Sequence, residues 1–546
     1  MIDRLLESAR GKVDGADALW RREEQTAVTF ESGRLKSAGI SEEAGLNLRV
    51  LAGGRLGVAG TTAAKPDPAE LVGRARASAE LGEVVELVFP SAAATALPRI
   101  PTFFDRTANA SLAELIRMGR FLVERLARPD CQVNISVQRE LADTAVGNTA
   151  GARGEYRATG IGVTADVTRI AGDDVLMVYD QYVGADLPND ADLETLVRSV
   201  ETRLTAALKI VAPPDGALAV VFTPAGLAAV VLPLEQALSG KTVLQGSSPL
   251  AGKVGETLFD ERLSIFDDPL TPGRPASRPI DDECVPSRAT GLVENGVVGR
   301  FVYDLETAAR AKTQSTGNGR RGVFGKPHIG YTNIVFRMGD RAGARHGVPY
   351  GHASGVPLLG GGLIADIQDG LIVDDLIGVG QGNVIGGAFS HPVGLAYRVQ
   401  RGEVTGRVKD CAVAGNAYEL LKRIGGFGND GRWLGSPRLR HSTSITAMVS
   451  SDNRPRKSAS MPAEKKHIGD CAVPGSASAQ SLESSARAPV PIGLIVTAPH
   501  PPLVKNSDNV SPSRSASRSV GLFTAANAWY RPAPAAYPAS CRIVTS

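Results

Sequence analysis

Residues 46–58 read LNLRVLAGGRLGV. Leu46, Leu48 and Val50 alternate with Asn47 and Arg49, the chain breaks at Gly53 and Gly54, and Leu56 and Val58 resume. Side chains of a strand change face at every residue, so the pattern predicts a hairpin with a two-glycine turn. Upstream, FESGRLK at residues 30–36 reads as a turn-containing strand region. Downstream, Asp67 before Pro68 is an N-cap followed by proline at the first helical position, which opens a helix to about Leu81. Ser111 and Glu114 make a capping box, and Leu112, Leu115, Ile116, Leu122 and Leu126 then follow one helical face. Residues 132–139 and 175–183 read as strands, and Leu193, Leu196, Val197, Val200, Leu204 and Leu208 form another helical stripe. Hairpins separated by helices predict an α+β domain with an antiparallel sheet over residues 1–210.

The chain of 546 residues is too long for one small core, so further domains are expected. VAPPDG at residues 211–216 is the first boundary. A buried-looking strand follows at residues 217–222, and Thr223 is expected to cap a helix whose first residue is Pro224. From Arg288 to Asp430 glycine is frequent and strands are short, which predicts a β-rich C-terminal domain over residues 217–436. Residues 437–546 differ. Runs such as SASMPAEKK and SPSRSASRS have neither helical nor strand periodicity, and a disordered tail is expected. This tail holds 13 Lys/Arg against 5 Asp/Glu, a balance of +8, while the whole chain carries +3, so the body is at −5. The jump in charge and composition predicts a shifted reading frame; a genuine basic tail that touches nucleic acid or acidic partners is the competing reading. Hydrophobic content of 43%, the lack of a run of ~18 apolar residues and an N-terminus without an apolar h-region point to a cytoplasmic globular protein with no membrane span. Five cysteines without paired spacing do not make a disulfide framework.

The stretch LEQALSGKT at residues 234–242 half-matches two catalytic motifs. Its close, SGKT, resembles the end of a phosphate-binding loop, but the position of that motif's first glycine is Glu235, and a helix precedes the stretch where a strand is required. The plainer expectation is a helix C-terminus with Gly240 as its left-handed cap and Lys241 near the dipole. Its start has the Glu of an H-E-x-x-x-H zinc motif, with Leu234 and Ser239 in place of the histidines. Zinc at a hydrolytic site takes three ligands from imidazole, thiolate or carboxylate, so neither residue type can serve.

His346, His352, His391 and Cys411 lie in the glycine-rich segment without metal-ligand spacing, and Cys284 has no recognisable nucleophile setting. Asp267 with Asp268 and Asp281 with Asp282 sit beside proline-rich loops, where turn chemistry and solvation are expected. The glycines at 360–362 and in GVGQGNVIGG (378–387) do not form a dinucleotide fingerprint; they allow the close backbone approach that an extended peptide needs at a sheet edge.

Several stretches in one order resemble the TldD/PmbA family, in particular its PmbA (TldE) branch. They are FESGRLK with GLNLRVLAGGRLGVAG, GSSPLAGKVGETLFDERLSIFDDP, YTNIVF, DLIGVGQGNVIGGAFSHPVGLAYRVQRGEV, and CAVAGNAYELLKRIGGFGND. The resemblance covers roughly residues 1–435. It implies a two-subunit zinc peptidase: a TldD-like catalytic subunit with H-E-x-x-x-H and a later cysteine, and a partner of the same fold without those ligands. Leu234 and Ser239 beside Glu235, and no cysteine at 428–436, place this chain with the non-catalytic branch. The resemblance further implies no zinc in this chain, zinc in the partner, a heterodimer that degrades unfolded or short peptides or removes a peptide leader, a link to modulation of DNA gyrase, and no nucleic-acid partner. Asn333, Asn383, Gly387, Phe389 and Ser390 are the expected peptide-groove residues. A stand-alone peptide-binding protein that uses the glycine-rich groove is the alternative.

Overall fold

Strand β1 (Gly15–Glu31) reverses at Ser32 and Gly33 into β2 (Arg34–Ala52), and β2 turns through Gly53 and Gly54 into β3 (Arg55–Thr61). Both turn glycines have positive φ (58° and 71°), the backbone that the two-residue hairpin requires. The computed structural model describes residues 1–92, 96–338, 361–428 and 431–435, and the backbone of three short strands beyond them. β4 (Cys131–Asn148), β5 (Arg153–Ala171) and β6 (Asp174–Gly184) complete a six-stranded antiparallel sheet of order β3-β2-β1-β4-β5-β6. Helices α1 (Ile2–Ala9), α2 (Pro68–Glu80), α3 (Asp105–Ala108), α4 (Leu112–Leu126) and α5 (Asp190–Ala207) accompany it. Asp67 caps α2 by accepting from the Ala69 amide at 2.9 Å. Of the box expected at Ser111, the serine half is formed, with Oγ accepting from the Glu114 amide at 3.2 Å. A full capping box closes the start of α5, between Asn189 and Asp192.

The second region begins with β7 (Gly216–Ala217) and β8 (Ala219–Phe222), followed by α6 (Ala228–Ala237) and α7 (Gly240–Leu244). The helix expected from Pro224 starts four residues later. Thr223 Oγ1 donates to Asp374 (2.7 Å) and accepts from the Gly226 amide (3.3 Å), which holds residues 224–227 in a turn ahead of the helix. Next come β9 (Leu263–Asp267), β10 (Thr290–Glu294), β11 (Val297–Val298), α8 (Leu305–Arg310), β12 (Gly319–Arg320), β13 (His328–Ile329) and β14 (Asn333–Met338). After them stand β15 (Asp369–Leu376), β16 (Ala388–Gln400), β17 (Glu403–Val408), β18 (Ala412–Asn416), α9 (Ala417–Leu421), β19 (Ile424–Phe427) and β20 (Arg432–Gly435).

Three strands lie beyond Ser436: β21 (Ser442–Ile445), β22 (Met448–Ser450) and β23 (Ile495–Thr497). β21 pairs with β14 and β20, β22 with β19 and β8, and β23 with β18 and β7. Strand pairing thus continues into residues that show no strand periodicity, because a ladder is made by backbone N–H and C=O groups that every residue type except proline carries in full. The rest of the expected tail, 437–546, lies outside the described residues.

β8 and β15 run parallel at the centre of the second region and serve two cores. Val221 and Ile372 face the core that also holds Val28, Phe30 and Leu122, together with Leu196 and Val200 of α5. Val220, Phe222, Leu371 and Val373 face the other core, with Val230 and Leu234 of α6. Strand alternation therefore joins the two regions by one shared apolar layer.

The acidic pairs are not solvated. Asp267, Asp281 and Asp282 are at most 1% exposed, and Asp268 is 9%. Turn chemistry is present: Asp281 accepts from the amides of Glu283 (2.9 Å), Val285 (2.8 Å) and Gly319 (2.9 Å). The burial has a second cause, a network of ions. Arg49 of β2 is 1% exposed and grips Asp17 of β1 with two bonds (3.0 and 2.5 Å) and Glu283 with a third (2.5 Å). Arg321 adds a bond to Asp17 (2.9 Å), and Arg21 donates to Asp282 (2.7 Å). Burial alone would raise Asp17, but Arg321 and Arg49 outweigh it and hold its carboxyl below the usual range. Burial likewise opposes Asp282, yet Arg21 and Arg320 bring it down to about 2. For Glu283 burial prevails over Arg49 and, with Asp281 and Asp304 nearby, pushes it up to about 8.

Arg49→Met leaves buried carboxylate without its main partner and is expected to cost about 3–5 kcal/mol, read as a lowered urea midpoint. Glu283 has a second signature. Its folded pKa lies above the unfolded one, so its stabilising contribution is complete below about pH 4.5 and is lost as pH rises through about 8. Glu283→Gln is expected to flatten the fall in stability between pH 5 and 8, by up to about 1.4 kcal/mol per pH unit. Denaturation curves at several pH values give that slope, and equal slopes in both proteins would contradict a proton held at Glu283.

Candidate functional site at the end of helix α6

Helix α6 is apolar, and Pro233 inside it removes one amide from the helical ladder. The last turn carries Leu234 and Glu235, and Ser239 stands just before α7. A helix leaves its last four carbonyls without intrahelical donors, and here each has one. Leu234 O accepts from the Leu238 amide (2.8 Å), and Glu235 O from the Tyr331 hydroxyl (2.5 Å). Gln236 O accepts from Thr242 Oγ1 (2.5 Å), and Ala237 O from Ser248 Oγ (2.6 Å). Three of the four carbonyls are therefore closed by side-chain hydroxyls, the fourth by the Leu238 amide, and no left-handed glycine ends the helix. Gly240 does not have positive φ: its amide donates to Val302 O (2.8 Å), and a Cβ there would lie 2.2 Å from the Tyr303 ring. Glycine is required for close approach, and the amide that a phosphate would need is already engaged.

The motif positions are filled for packing. Leu234 is 2% exposed within the apolar core, and Ser239 bridges by its backbone to Val302. Glu235 is half-buried, and its charge, after burial itself, helps push the Tyr331 hydroxyl well above its ordinary range. No group of three or more His, Cys, Asp or Glu side chains among the described residues could hold a metal ion. His391 stacks on Phe389 with ring centroids 5.7 Å apart, and burial lowers its pKa. Cys284 and Cys411 are buried, and burial pushes both thiols up, away from the thiolate that a nucleophile needs. His346 and His352 lie outside the described residues. The residues at α6 do not fit a zinc ion.

Four of the expected groove residues come together beside α6. Asn383 and Gly387 flank the short 3-10 turn Val384–Gly386, and Phe389 and Ser390 begin β16. Gly387 has φ 76° and lies against Tyr418 of α9, where a Cβ would be 2.5 Å from the ring. The Tyr418 hydroxyl meets Ile385 O at 2.7 Å and Pro233 O at 3.2 Å, so one side chain ties the glycine loop to the motif helix. β17 and β18 flank one side of β16 along its length, whereas β15 flanks the other only from Val393 onward. Asn383 and Ser390 are exposed. Asn333 is elsewhere: it is fully buried in β14, and its amide donates to Asp268 O (2.8 Å) and Ser277 Oγ (2.9 Å). Tyr331 and Tyr418, which hold the site, lie within the family-like stretches YTNIVF and CAVAGNAYELLKRIGGFGND, but no local rule of spacing or capping marks either as a site residue.

Residues 215–457 match the PmbA/TldA metallopeptidase C-terminal domain, and residues 16–79 match PmbA/TldA metallopeptidase domain 1. The chain belongs to the TldD/PmbA family. A protein named "Metalloprotease" from Methanothermobacter thermautotrophicus is 31% identical over 251 residues, 46% of this chain and 51% of that protein. A metalloprotease TldD homologue from Haemophilus influenzae is 28% identical over 240 residues, 43% of this chain and 46% of that protein. The chain thus spans about half the length of the curated relatives it matches. Its fold is shared with TldE from Thermococcus kodakarensis, with a TM-score of 0.71 at 23% identity over 82% of this chain and 98% of that one. No helix among the described residues is long and apolar enough to cross a membrane.

Tyr418→Phe removes the hydroxyl shared by Ile385 O and Pro233 O and is expected to cost about 1–3 kcal/mol. Hydrogen exchange should accelerate in residues 378–387 of the variant. Unchanged protection there would mean that the loop is held by other contacts.

Proposed function

We propose that this chain is the non-catalytic subunit of a zinc-dependent peptidase of the TldD/TldE type, acting in the cytoplasm on unfolded or short peptides or on a peptide leader. The observation that carries this reading is the end of α6. The family resemblance implies a zinc-protease helix over residues 234–239, and this chain has Leu234, in the core, and Ser239 at the two ligand positions of that motif. Glu235 would be the base of that motif, but a base needs a metal-bound water whose proton it can take. The partner is a homologue with H-E-x-x-x-H, and that subunit holds the zinc.

The likeness to a TldE structure supports the same reading at the level of fold. The role left for this chain is to shape the peptide site. Among the described residues no strand pairs with residues 388–391 of β16 on the β15 side, and the four positive-φ glycines at 378, 380, 382 and 387 keep the adjoining loop free of side chains at those points. An extended peptide can hydrogen-bond to such an edge, with Asn383, Phe389 and Ser390 beside it. The same edge supports the second reading, a peptide-binding protein that acts without a catalytic subunit.

Co-expression with an H-E-x-x-x-H homologue from the same genome separates the two. A stoichiometric complex is expected, with one zinc per homologue and peptidase activity that neither chain shows alone. Glu235→Ala is expected to leave the activity of the complex within about twofold, because this carboxylate has no metal-bound water to serve. Tight zinc in the isolated chain with chelator-sensitive cleavage, or loss of activity in an intact Glu235→Ala complex, would overturn the reading.

A further inference from the structure

The β1–β2 hairpin extends past the rest of its sheet on one side. β3 covers β2 only from Leu46 to Ala52, and no strand among the described residues pairs with the outer edge of residues 34–43. All ten of these residues are exposed, with Leu35 at 46% and Ile40 at 62%. A bare edge is a template for another strand, and proteins usually guard such edges with charge. The charges here are Arg34 and Lys36 at one end and Glu42 and Glu43 at the other. Guards of one sign would repel a second copy of the same edge. Opposite signs at the two ends attract one, provided that the copies run antiparallel.

We propose that this edge pairs with the same edge of a second copy of this chain, antiparallel across a two-fold axis at Gly39. In that register Lys36 faces Glu42, Ser37 faces Ser41 and Ala38 faces Ile40, each twice by symmetry. Directly opposed residues of an antiparallel pair point to the same face, so the charges meet. A Cβ at Gly39 would meet nothing within 4 Å, so the axis is unobstructed in the single chain. Among the described residues Lys36 and Glu42 bond within the hairpin, to Glu31 and Arg22, and their side chains remain 56% and 50% exposed. The inference does not rest on the peptidase reading, because it is argued from residues 34–43 and not from the end of α6 or the edge of β16.

The full chain is expected to show a concentration-dependent dimer in sedimentation velocity, weakened by added salt. Lys36→Glu alone and Glu42→Lys alone should each weaken it at least tenfold, since each brings like charges together. The double variant should restore it, and a mixture of the two single variants should form a mixed dimer, which also shows that both are folded. Gly39→Cys should give a disulfide-linked dimer on oxidation under conditions where the parent chain gives none. A monomer at all concentrations, a dimer indifferent to both single changes, or single variants that do not pair on mixing would overturn the proposal. So would Gly39→Cys crosslinking that appears only to a catalytic homologue.

Discussion

The guanidinium of Arg49 is the point on which the two regions turn. Asp17 and Arg49 are directly opposite in the β1–β2 register, so their side chains share a face. That face meets the loop that carries Asp281, Asp282 and Glu283. Moving these charges out of water is costly, and the cost is offset only while every partner is in place. The pairing therefore specifies more than it stabilises. A slip of β2 by one residue would carry Arg49 to the opposite face and leave Asp17 and Glu283 buried without it. Backbone amides help, since Asp281 is wrapped by three of them.

The apolar side of the same union is the layer around β8 and β15. Val221 and Ile372 look toward the first sheet and α5, while Phe222 and Val373 look toward α6. The position of α6 is thereby tied to both regions. Its end is then closed by hydroxyls of Tyr331, Thr242 and Ser248, each arriving from a different stretch of chain. Leu234 points into the apolar core at this place, and Ser239 pairs by its backbone with Val302.

Part of this was legible in the residues alone. The hairpin at Gly53 and Gly54, the cap at Asp67 and the stripe of α5 depend on local rules, namely alternation, positive φ and capping, and the structure follows them except at Leu208, which lies past the end of α5 and is exposed. Non-local rules were not legible. Asp281 and Asp282 beside prolines look like solvated turn residues, and nothing nearby announces that Arg21, 261 residues away from Asp282, will reach them. Gly240 looks like a helix cap, and its true constraint is the ring of Tyr303. Asn333 looks available for a ligand, and its amide is already bonded to Asp268 and Ser277.

What the sequence by itself determined is the first hairpin, the helices α2, α4 and α5, the family likeness and the absence of ligand chemistry at Leu234 and Ser239, because residue type alone decides whether an atom can bind zinc. What only the tertiary structure decided is which charges are buried, which carbonyls of α6 are capped, and which strand edges are left bare. Those depend on long-range packing, where a partner's position is set by the whole fold and not by spacing along the chain.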